Sequence, residues 1–180
     1  MTRFGSATRG KTYDVTETGF TYPEVGASQR EPLPSGYRHL RYRTRLGDSR
    51  VFGRAAEAIL TFQMQRGPGV QASGGRAAPG VRVVVGRGPL RAPCEVVYVI
   101  EEPDRAGYAY GTLPGHPARG EESFLALRDP DGTVWLEITS FSVPAGWPMR
   151  ALGPAARLGQ HAYARVCGLA LRRRLAKVVP

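Results

Sequence analysis

The chain has 180 residues, of which 42% are hydrophobic and 22% are charged. This length and balance fit one hydrophobic core and exclude an intrinsically disordered chain. The formal net charge of +10 is unevenly distributed, since residues 1–94 carry +9, residues 95–137 carry −6 and residues 138–180 carry +7.

Several classes of protein are disfavoured by the same residues. Only two of the 25 basic residues are lysines. GC-rich genomes produce such a bias towards arginine whatever the function, so the positive charge by itself does not lead us to expect a nucleic-acid partner. The basic ends of the chain keep that alternative open. No apolar run approaches the roughly 18 residues of a membrane span, and residues 1–5 lack the apolar core of a signal peptide. Cys94 and Cys167 show no metal-ligand spacing. We expect a cytoplasmic bacterial monomer or homodimer without cofactor or metal and without membrane insertion.

The first half of the chain predicts an arm, a strand, a helix and a loop. Residues 1–36 are rich in Gly, Thr and Pro and predict an irregular arm before a single domain over residues 37–180. The segment Tyr37–Leu46 alternates charged and apolar residues, as a strand does. Apolar residues at helical spacing predict a helix over residues 49–65, which Asp48 or Ser49 caps. Residues 66–80 are rich in Gly and Pro and predict a loop.

The second half predicts an antiparallel meander followed by a helix. The predicted strands are Val81–Val85, Cys94–Ile100, Arg105–Thr112, Glu121–Leu127 and Thr133–Phe141. Short connections such as Asp129-Pro130-Asp131-Gly132 favour antiparallel pairing. A helix from about Met149 to Ala176 ends the chain. This order predicts an α+β, helix-grip-like fold, in which a curved antiparallel sheet wraps around the long C-terminal helix and leaves a cavity. A different α+β arrangement, with the helices on one sheet face, fits the same order.

Four sequence strings resemble one known family. They are TYPEVG at residues 21–26, GYRHL at 36–40, YAYGTLPGHP at 108–117 and GEE at 120–122. Together they resemble the bacterial and plant family called domain of unknown function 1990 (DUF1990). The resemblance implies a compact cavity protein similar to the START and Bet v 1 superfamily, which holds lipid and hormone binders and cofactor-free polyketide cyclases. The string TFQMQR at 61–66 departs from the family, which tends to carry Trp and His near Phe62 and Gln65, so we expect a different pocket.

A second, weaker resemblance is to small actinobacterial proteins that close spiroketal rings on polyketides. It implies a cofactor-free cyclase that acts on a dihydroxy ketone, and hence a small apolar ligand or polyketide-type substrate as partner. Two alternatives stay open. The first is a non-catalytic binder or carrier of a lipid-like ligand, and the second is a nucleic-acid-associated protein that uses its basic ends.

The candidate site residues are those that supply protons or placed hydrogen bonds to such a cavity. Candidate acids and acceptors are Tyr110, His116, Glu121, Glu122 and Glu137. Candidate substrate contacts are Tyr98, Tyr108, Thr112, Trp135, Phe141 and His161. Strand parity puts Tyr108, Tyr110 and Thr112 on one face, and Cys94, Val96, Tyr98 and Ile100 on one face of the preceding strand. The competing interpretations are that the tyrosines are core residues, that His116 supports a turn, that Glu137 faces water and that His161 lies on the helix surface.

Overall fold

The computed structural model describes residues 19–66, 71–72, 74–87, 90–147, 151 and 153–177. Its strands are β1 (Arg38–Gly47), β2 (Gln71–Ala72), β3 (Arg82–Arg87), β4 (Leu90–Glu101), β5 (Arg105–Thr112), β6 (Ala118–Arg128) and β7 (Val134–Pro144). Its helices are α1 (Phe52–Leu60), α2 (Gln63–Arg66) and α3 (Gly153–Ala176), with short 3-10 turns at Ala27–Gln29 and Ser49–Val51.

All seven strands form one antiparallel sheet in the order β1-β7-β6-β5-β4-β3-β2. Strands β3 to β7 are neighbours in both sequence and space, which is the predicted meander. The first strand, β1, pairs with the last strand, β7, and β1 forms one edge of the sheet. The sheet is curved around α3, and the predicted α+β helix-grip architecture is confirmed.

The main core lies between the concave face of the sheet and the helices. Alternate residues of β7, namely Leu136 and Ile138, are fully buried there together with Phe124 of β6. Helix α3 contributes Ala164, Cys167, Leu171 and Leu175 to the same core. The helix passes close to β1 at Gly168, where an added Cβ would lie 2.7 Å from the Tyr42 hydroxyl. A small residue is therefore needed at this crossing.

Two segments differ from the elements predicted from the sequence. The helix predicted over residues 49–65 is divided, because Phe62 adopts a positive φ of 58° and starts a new turn of helix, α2. This change of direction buries Phe62 against Tyr108, with ring centroids 5.2 Å apart. The predicted loop over residues 66–80 contains β2, which pairs with β3. The predicted helix start at Met149 lies outside the described residues.

The convex face of the sheet is covered by the segment that precedes β1. Tyr22 and Leu33 of this segment pack with Phe141 of β7, and Phe20 and Val25 pack against Leu125 and its neighbours. Gly111 of β5 makes room for this segment, since a Cβ there would come within 2.2 Å of the Tyr22 hydroxyl. The convex face is thus covered over part of β4–β7, whereas Arg41 and Arg43 of β1 remain exposed. Among the described residues, no helix is long and apolar enough to cross a membrane.

The close pairing of β5 with β6 yields a test of the fold. At Gly107, a Cβ would lie 2.0 Å from the carbonyl oxygen of Phe124, so we expect Gly107→Ala to lower the free energy of unfolding by about 2–4 kcal/mol. At the exposed helical residue Gly53, a Cβ meets nothing within 4 Å, so Gly53→Ala is the matched control. It should raise stability by up to about 1 kcal/mol. Urea unfolding measures both, and equal stability of the two variants would contradict this packing.

Candidate functional site

A cavity of about 300 Å³ lies between α3 and one end of the sheet. Its size is at the lower end of the range of ligand pockets. The walls are formed by Arg38, Val85, Tyr110, Thr112, His116, Pro117, Ala118, Gly120, Glu121, Glu122, Ser140, Ser142, Val143, Pro144, Gly159, Gln160 and Tyr163. Most of this surface is apolar, with hydroxyl groups from the strands and one titratable carboxyl group, that of Glu122, directed into it.

Glu122 is the principal chemical group of the cavity. The Tyr110 hydroxyl donates a hydrogen bond of 2.7 Å to Glu122 Oε2. Burial raises the pKa of Glu122 to about 7, and the hydrogen bond from Tyr110 opposes this shift only in part. Burial also raises the pKa of Tyr110 well above its usual value, so the phenol stays protonated and remains a donor. At neutral pH the carboxyl group therefore exists in both protonation states, which suits it to donate or accept a proton.

Glu121, predicted as a second catalytic carboxylate, serves a different purpose. Successive side chains of a strand point to opposite faces, so the Glu121 carboxylate lies under the segment that precedes β1. Its Oε2 accepts hydrogen bonds from the Tyr22 hydroxyl at 2.7 Å and the Gly26 backbone N–H at 2.7 Å. Its Oε1 accepts from the Ser28 backbone N–H at 2.9 Å and the Ser28 hydroxyl at 2.5 Å. The side chain anchors this segment, and its carboxylate lies on the opposite face of the sheet from that of Glu122.

His116 lines the cavity but is not the proton donor predicted from the sequence. The Ala118 backbone N–H donates to His116 Nδ1 at 2.9 Å, so the ring supports the turn between β5 and β6. Burial lowers the pKa of His116 to about 4. The imidazole is therefore uncharged at neutral pH, and its contribution to the wall is that of a neutral group.

Among the predicted substrate contacts, Thr112 lines the cavity and Tyr108 lies behind it. The Thr112 hydroxyl accepts from the Gly120 backbone N–H at 3.0 Å and shares a hydrogen bond of 2.6 Å with the Thr21 hydroxyl. Tyr108 is fully buried in the concave core. Its placement there agrees with the face predicted for Tyr108, Tyr110 and Thr112, but only the last two of these border the cavity.

Tyr98, in contrast, lies on the opposite face of the sheet from its predicted position. A β-bulge between Val96 and Tyr98 shifts the register of β4 by one residue. Cys94 and Val96 therefore belong to the concave core, whereas Tyr98 and Ile100 pack on the convex face. There the Tyr98 hydroxyl shares a hydrogen bond of 2.8 Å with the Ser28 hydroxyl, away from the cavity.

Three candidates on β7 also lie on the convex face, since Val134, Leu136 and Ile138 occupy the concave one. The Trp135 indole N–H donates to Asp129 at 2.9 Å, and the Arg43 guanidinium lies 4.5 Å from its ring centroid. Phe141 is buried under the N-terminal segment. Glu137 is half-buried in register with Arg43. None of the three, which were predicted to contact substrate or supply a proton, borders the cavity.

The position of His161 on α3 also corrects the sequence-based prediction. The side chain is exposed and does not line the cavity. Its neighbours Gln160 and Tyr163 line the cavity. The sequence-based candidates did not include the lining residues Gln160, Ser140, Ser142 and Arg38. A signal existed only for Tyr163, which lies on the apolar face of the predicted helix. The polar members carry no periodic signal, because short hydroxyl and amide side chains are equally common on exposed strand and helix surfaces.

Gln65, a further residue that sequence reasoning missed, is a buried polar group in the core. Its side chain is fully buried, and neither amide atom has a hydrogen-bond partner among the described residues. The hydroxyls of Tyr108 and Tyr163 also have no hydrogen-bond partner within the described part of the chain. Burial raises the pKa of Tyr108 far above its usual value, and the nearby Gln65 amide opposes this shift without meeting hydrogen-bond geometry. Gln65 therefore makes the interior beside Tyr108 polar.

The described residues do not bring three or more metal-ligating side chains together. The two cysteines are both buried, and burial raises the pKa of Cys94 and Cys167, the latter to about 12. Both thiols are therefore protonated at neutral pH and are poor nucleophiles.

Comparisons with known proteins connect this chain to one family and one fold. The family model described as "Domain of unknown function (DUF1990)" matches residues 21–170. A UPF0548 protein of Deinococcus radiodurans is 35% identical over 168 residues, which cover 81% of this chain and 84% of the relative. A UPF0548 protein of Arabidopsis thaliana is 46% identical over 80 residues, which cover 41% of this chain and 38% of the relative.

Solved structures share the fold at low sequence identity. A hypothetical protein from Helicobacter pylori superposes with a TM-score of 0.61 and 9% identity, covering 97% of this chain and 98% of the other. Norcoclaurine synthase from Thalictrum flavum, solved with dopamine and hydroxybenzaldehyde, superposes with a TM-score of 0.57 and 8% identity, covering 80% of this chain and 89% of the other. At these identities the likeness concerns the fold alone.

The anchoring role of Glu121 predicts a loss of stability when its charge is removed. Glu121→Gln replaces one acceptor oxygen with a donor that faces N–H and O–H groups. We expect the free energy of unfolding to fall by about 2 kcal/mol or more. The exposed Glu102→Gln is the control and should change stability by less than about 0.5 kcal/mol. Urea unfolding decides, and a Glu121→Gln variant as stable as the control would contradict the anchor.

The raised pKa of Glu122 predicts a specific pH dependence. The folded state holds this proton more tightly than the unfolded chain, so the carboxyl group lowers stability as the pH rises from its ordinary pKa of 4.5 to about 7. Glu122→Gln removes this effect. The stability of the variant relative to the unmodified protein should therefore increase across this window, by up to about 3 kcal/mol, and level off above it.

The measurement is urea unfolding of both proteins at a series of pH values. The lowered pKa of His116 acts in the opposite direction, because the folded state then binds this proton less tightly than the unfolded chain. That contribution is common to both proteins and cancels in the difference. A difference that is independent of pH would show that the Glu122 carboxyl titrates normally.

Proposed function

The chain belongs to the DUF1990 family, and we propose that it binds a small, largely apolar molecule in the cavity under α3 and acts on it by proton transfer through Glu122. The proposal rests on one observation above all, the Glu122 carboxyl with a pKa of about 7 and a phenol donor at 2.7 Å inside an apolar cavity. The structural carboxylate of this strand, that of Glu121, accepts four hydrogen bonds, whereas the Glu122 carboxyl accepts one from the described residues, that of Tyr110.

The reaction that this arrangement supports best is the cofactor-free closure of a spiroketal from a dihydroxy ketone. One hydroxyl adds to the ketone carbon and forms a hemiketal. Protonated Glu122 donates its proton to the hemiketal hydroxyl, which leaves as water and generates an oxocarbenium ion. The second hydroxyl then attacks this carbon and returns its proton to the Glu122 carboxylate. The net change is the loss of one water molecule, with no oxidation or reduction.

Each cavity wall has a defined part in this scheme. The Tyr110 hydroxyl holds the Glu122 carboxyl in place and is itself a stable donor. Once deprotonated, the carboxylate is the negative charge that stabilises the cation. The hydroxyls of Ser140 and Ser142 on β7 provide polar contacts to the substrate oxygens. The apolar surface opposite them holds the carbon chain of the substrate in a folded conformation.

A non-catalytic ligand carrier is the second candidate, favoured by a specific observation. Of the four predicted acids and acceptors other than Tyr110, Glu122 alone combines a place in the cavity with a pKa near neutrality, since the carboxyl groups of Glu121 and Glu137 face away and His116 is uncharged. A single titratable group is enough to bind a hydroxyl or carbonyl group of a ligand. The experiments must therefore separate binding from turnover.

Binding is tested with the neutral fluorophore phenylnaphthylamine, whose emission rises in apolar surroundings. Ser142→Phe places a ring inside the cavity and should weaken binding at least tenfold. Ser35→Phe adds the same ring at an exposed position and is the matched control, with binding unchanged. If both variants bind the fluorophore as the unmodified protein does, the cavity under α3 is not the binding site.

Turnover is tested with dihydroxynonanone, an achiral ketone with one terminal hydroxyl on each arm, whose spiroketal is chiral. Spontaneous acid-catalysed closure yields a racemate, whereas closure in the cavity should yield an enantiomeric excess measurable by chiral gas chromatography. Glu122→Gln should lower the catalysed rate by about a hundredfold or more, and the exposed Glu102→Gln should not. Fluorophore binding combined with a racemic product would favour the carrier over the cyclase for this substrate.

A further inference from the structure

The solvent-facing side of α3 carries apolar residues that no other part of the described chain covers. Leu158, Val166 and Leu169 are 72%, 45% and 49% exposed, and Ala162 between them is also exposed. At 3.6 residues per turn these four positions fall within about 80° of the helix circumference. We call them the α3 stripe. Large apolar side chains gathered on one exposed face indicate an interaction surface rather than scattered surface residues.

Positive charge accompanies the α3 stripe. Residues 138–180 contain seven basic residues and no acidic residue. Arg165 and Arg172 are exposed on α3 and border the stripe along one side, and Arg173 and Arg174 are exposed near its C-terminal end. The surface is thus an apolar stripe with a cationic border and no compensating anion on its own element.

We propose that the α3 stripe and its arginines bind the surface of an anionic lipid bilayer. An apolar face bordered by arginine is the pattern of helices that lie in the plane of a membrane interface, where the side chains enter the acyl boundary and the cations contact lipid phosphates. Trp147 supports this orientation. It is 79% exposed just before α3, and indole rings favour the membrane–water interface.

Two other partners fit the surface less well. Pairing of α3 with α3 in a second copy would bring the arginine borders together without an acidic residue between them, and this costs affinity. A nucleic acid would satisfy the arginines but would leave Leu158, Val166 and Leu169 against a charged phosphate backbone, with no apolar partner. A lipid surface satisfies both parts of the pattern at once.

The helix that carries the stripe also lines the cavity, on its opposite side. Gly159 and Gln160, which line the cavity, follow Leu158 directly, and Trp147 follows the lining residue Pro144 by three positions. Arg38, also exposed, adds a positive charge to the lining. Docking through the α3 stripe therefore places the helix that borders the cavity against the lipid, which can supply an apolar ligand. This last step rests on the proposed function, whereas the docking itself does not.

The test is sedimentation with vesicles of phosphatidylglycerol and phosphatidylcholine, compared with vesicles of phosphatidylcholine alone. We expect binding to the anionic vesicles that weakens as salt is added, because arginines near a charged bilayer contribute about fivefold each to affinity. Trp147 provides a second signal, since its emission should shift to the blue on binding. The Trp147→Phe variant, which retains only Trp135, should lose this shift.

Matched variants separate the stripe from overall charge. Val166→Glu with Leu169→Glu changes the α3 stripe, and Ser35→Glu with Ala78→Glu makes the same change in net charge at exposed sites elsewhere. The first pair should lower vesicle binding at least tenfold and the second much less. Arg172→Gln with Arg173→Gln should weaken binding about twentyfold at low salt. Circular dichroism verifies that each variant is folded.

Several results would overturn the proposal. They are equal binding of the two glutamate pairs, equal binding to neutral and anionic vesicles, no sedimentation at low salt, or a dimer in sedimentation velocity that Val166→Glu with Leu169→Glu abolishes. Phenylnaphthylamine binding in the same variants keeps the two proposals distinct. The glutamate pair on α3 should bind the fluorophore normally, and Ser142→Phe should bind vesicles normally, so either proposal can fail without the other.

Discussion

The alternation of side chains along β6 at Gly120-Glu121-Glu122 is the constraint on which the rest of this structure depends. Two adjacent carboxyl groups are sent to opposite faces of one sheet. Glu121 accepts four hydrogen bonds from the segment before β1, and so attaches that segment to the convex face. On the concave face, which packs against α3, Glu122 lines the cavity.

The chemical character of the cavity follows from the different hydrogen bonding and solvation of these two carboxyl groups. Glu121 accepts four hydrogen bonds, whereas Glu122 accepts one from the described residues, that of Tyr110, and lines a largely apolar cavity that solvates charge poorly. Its pKa rises to about 7 as a result. The protein thus keeps a carboxyl group at some cost in stability, as is common where groups are retained for function rather than for folding.

The two proposals concern the two sides of helix α3. Helix α3 contributes Gln160 and Tyr163 to the cavity on its inner side, and the α3 stripe with its arginines on its outer side. A helix placed between a ligand cavity and an anionic lipid surface can serve ligand entry without any change in fold. The uneven charge noted in the sequence, with a strongly basic C-terminal region, acquires a physical explanation in this arrangement.

The sequence by itself determined the order of the elements, because strand alternation, turn residues and helical spacing are local properties. That order favoured the α+β helix-grip fold but also fitted another α+β arrangement, and the tertiary structure decided between them. The sequence also identified the Gly120-Glu121-Glu122 string and Tyr110. Only the tertiary structure decided which face of each strand is the inner one. Alternation separates Trp135 and Glu137 from Leu136 and Ile138, but it does not say which set meets the cavity. The bulge before Tyr98 and the burial of Gln65 arise from contacts between segments distant in sequence, which no local pattern records.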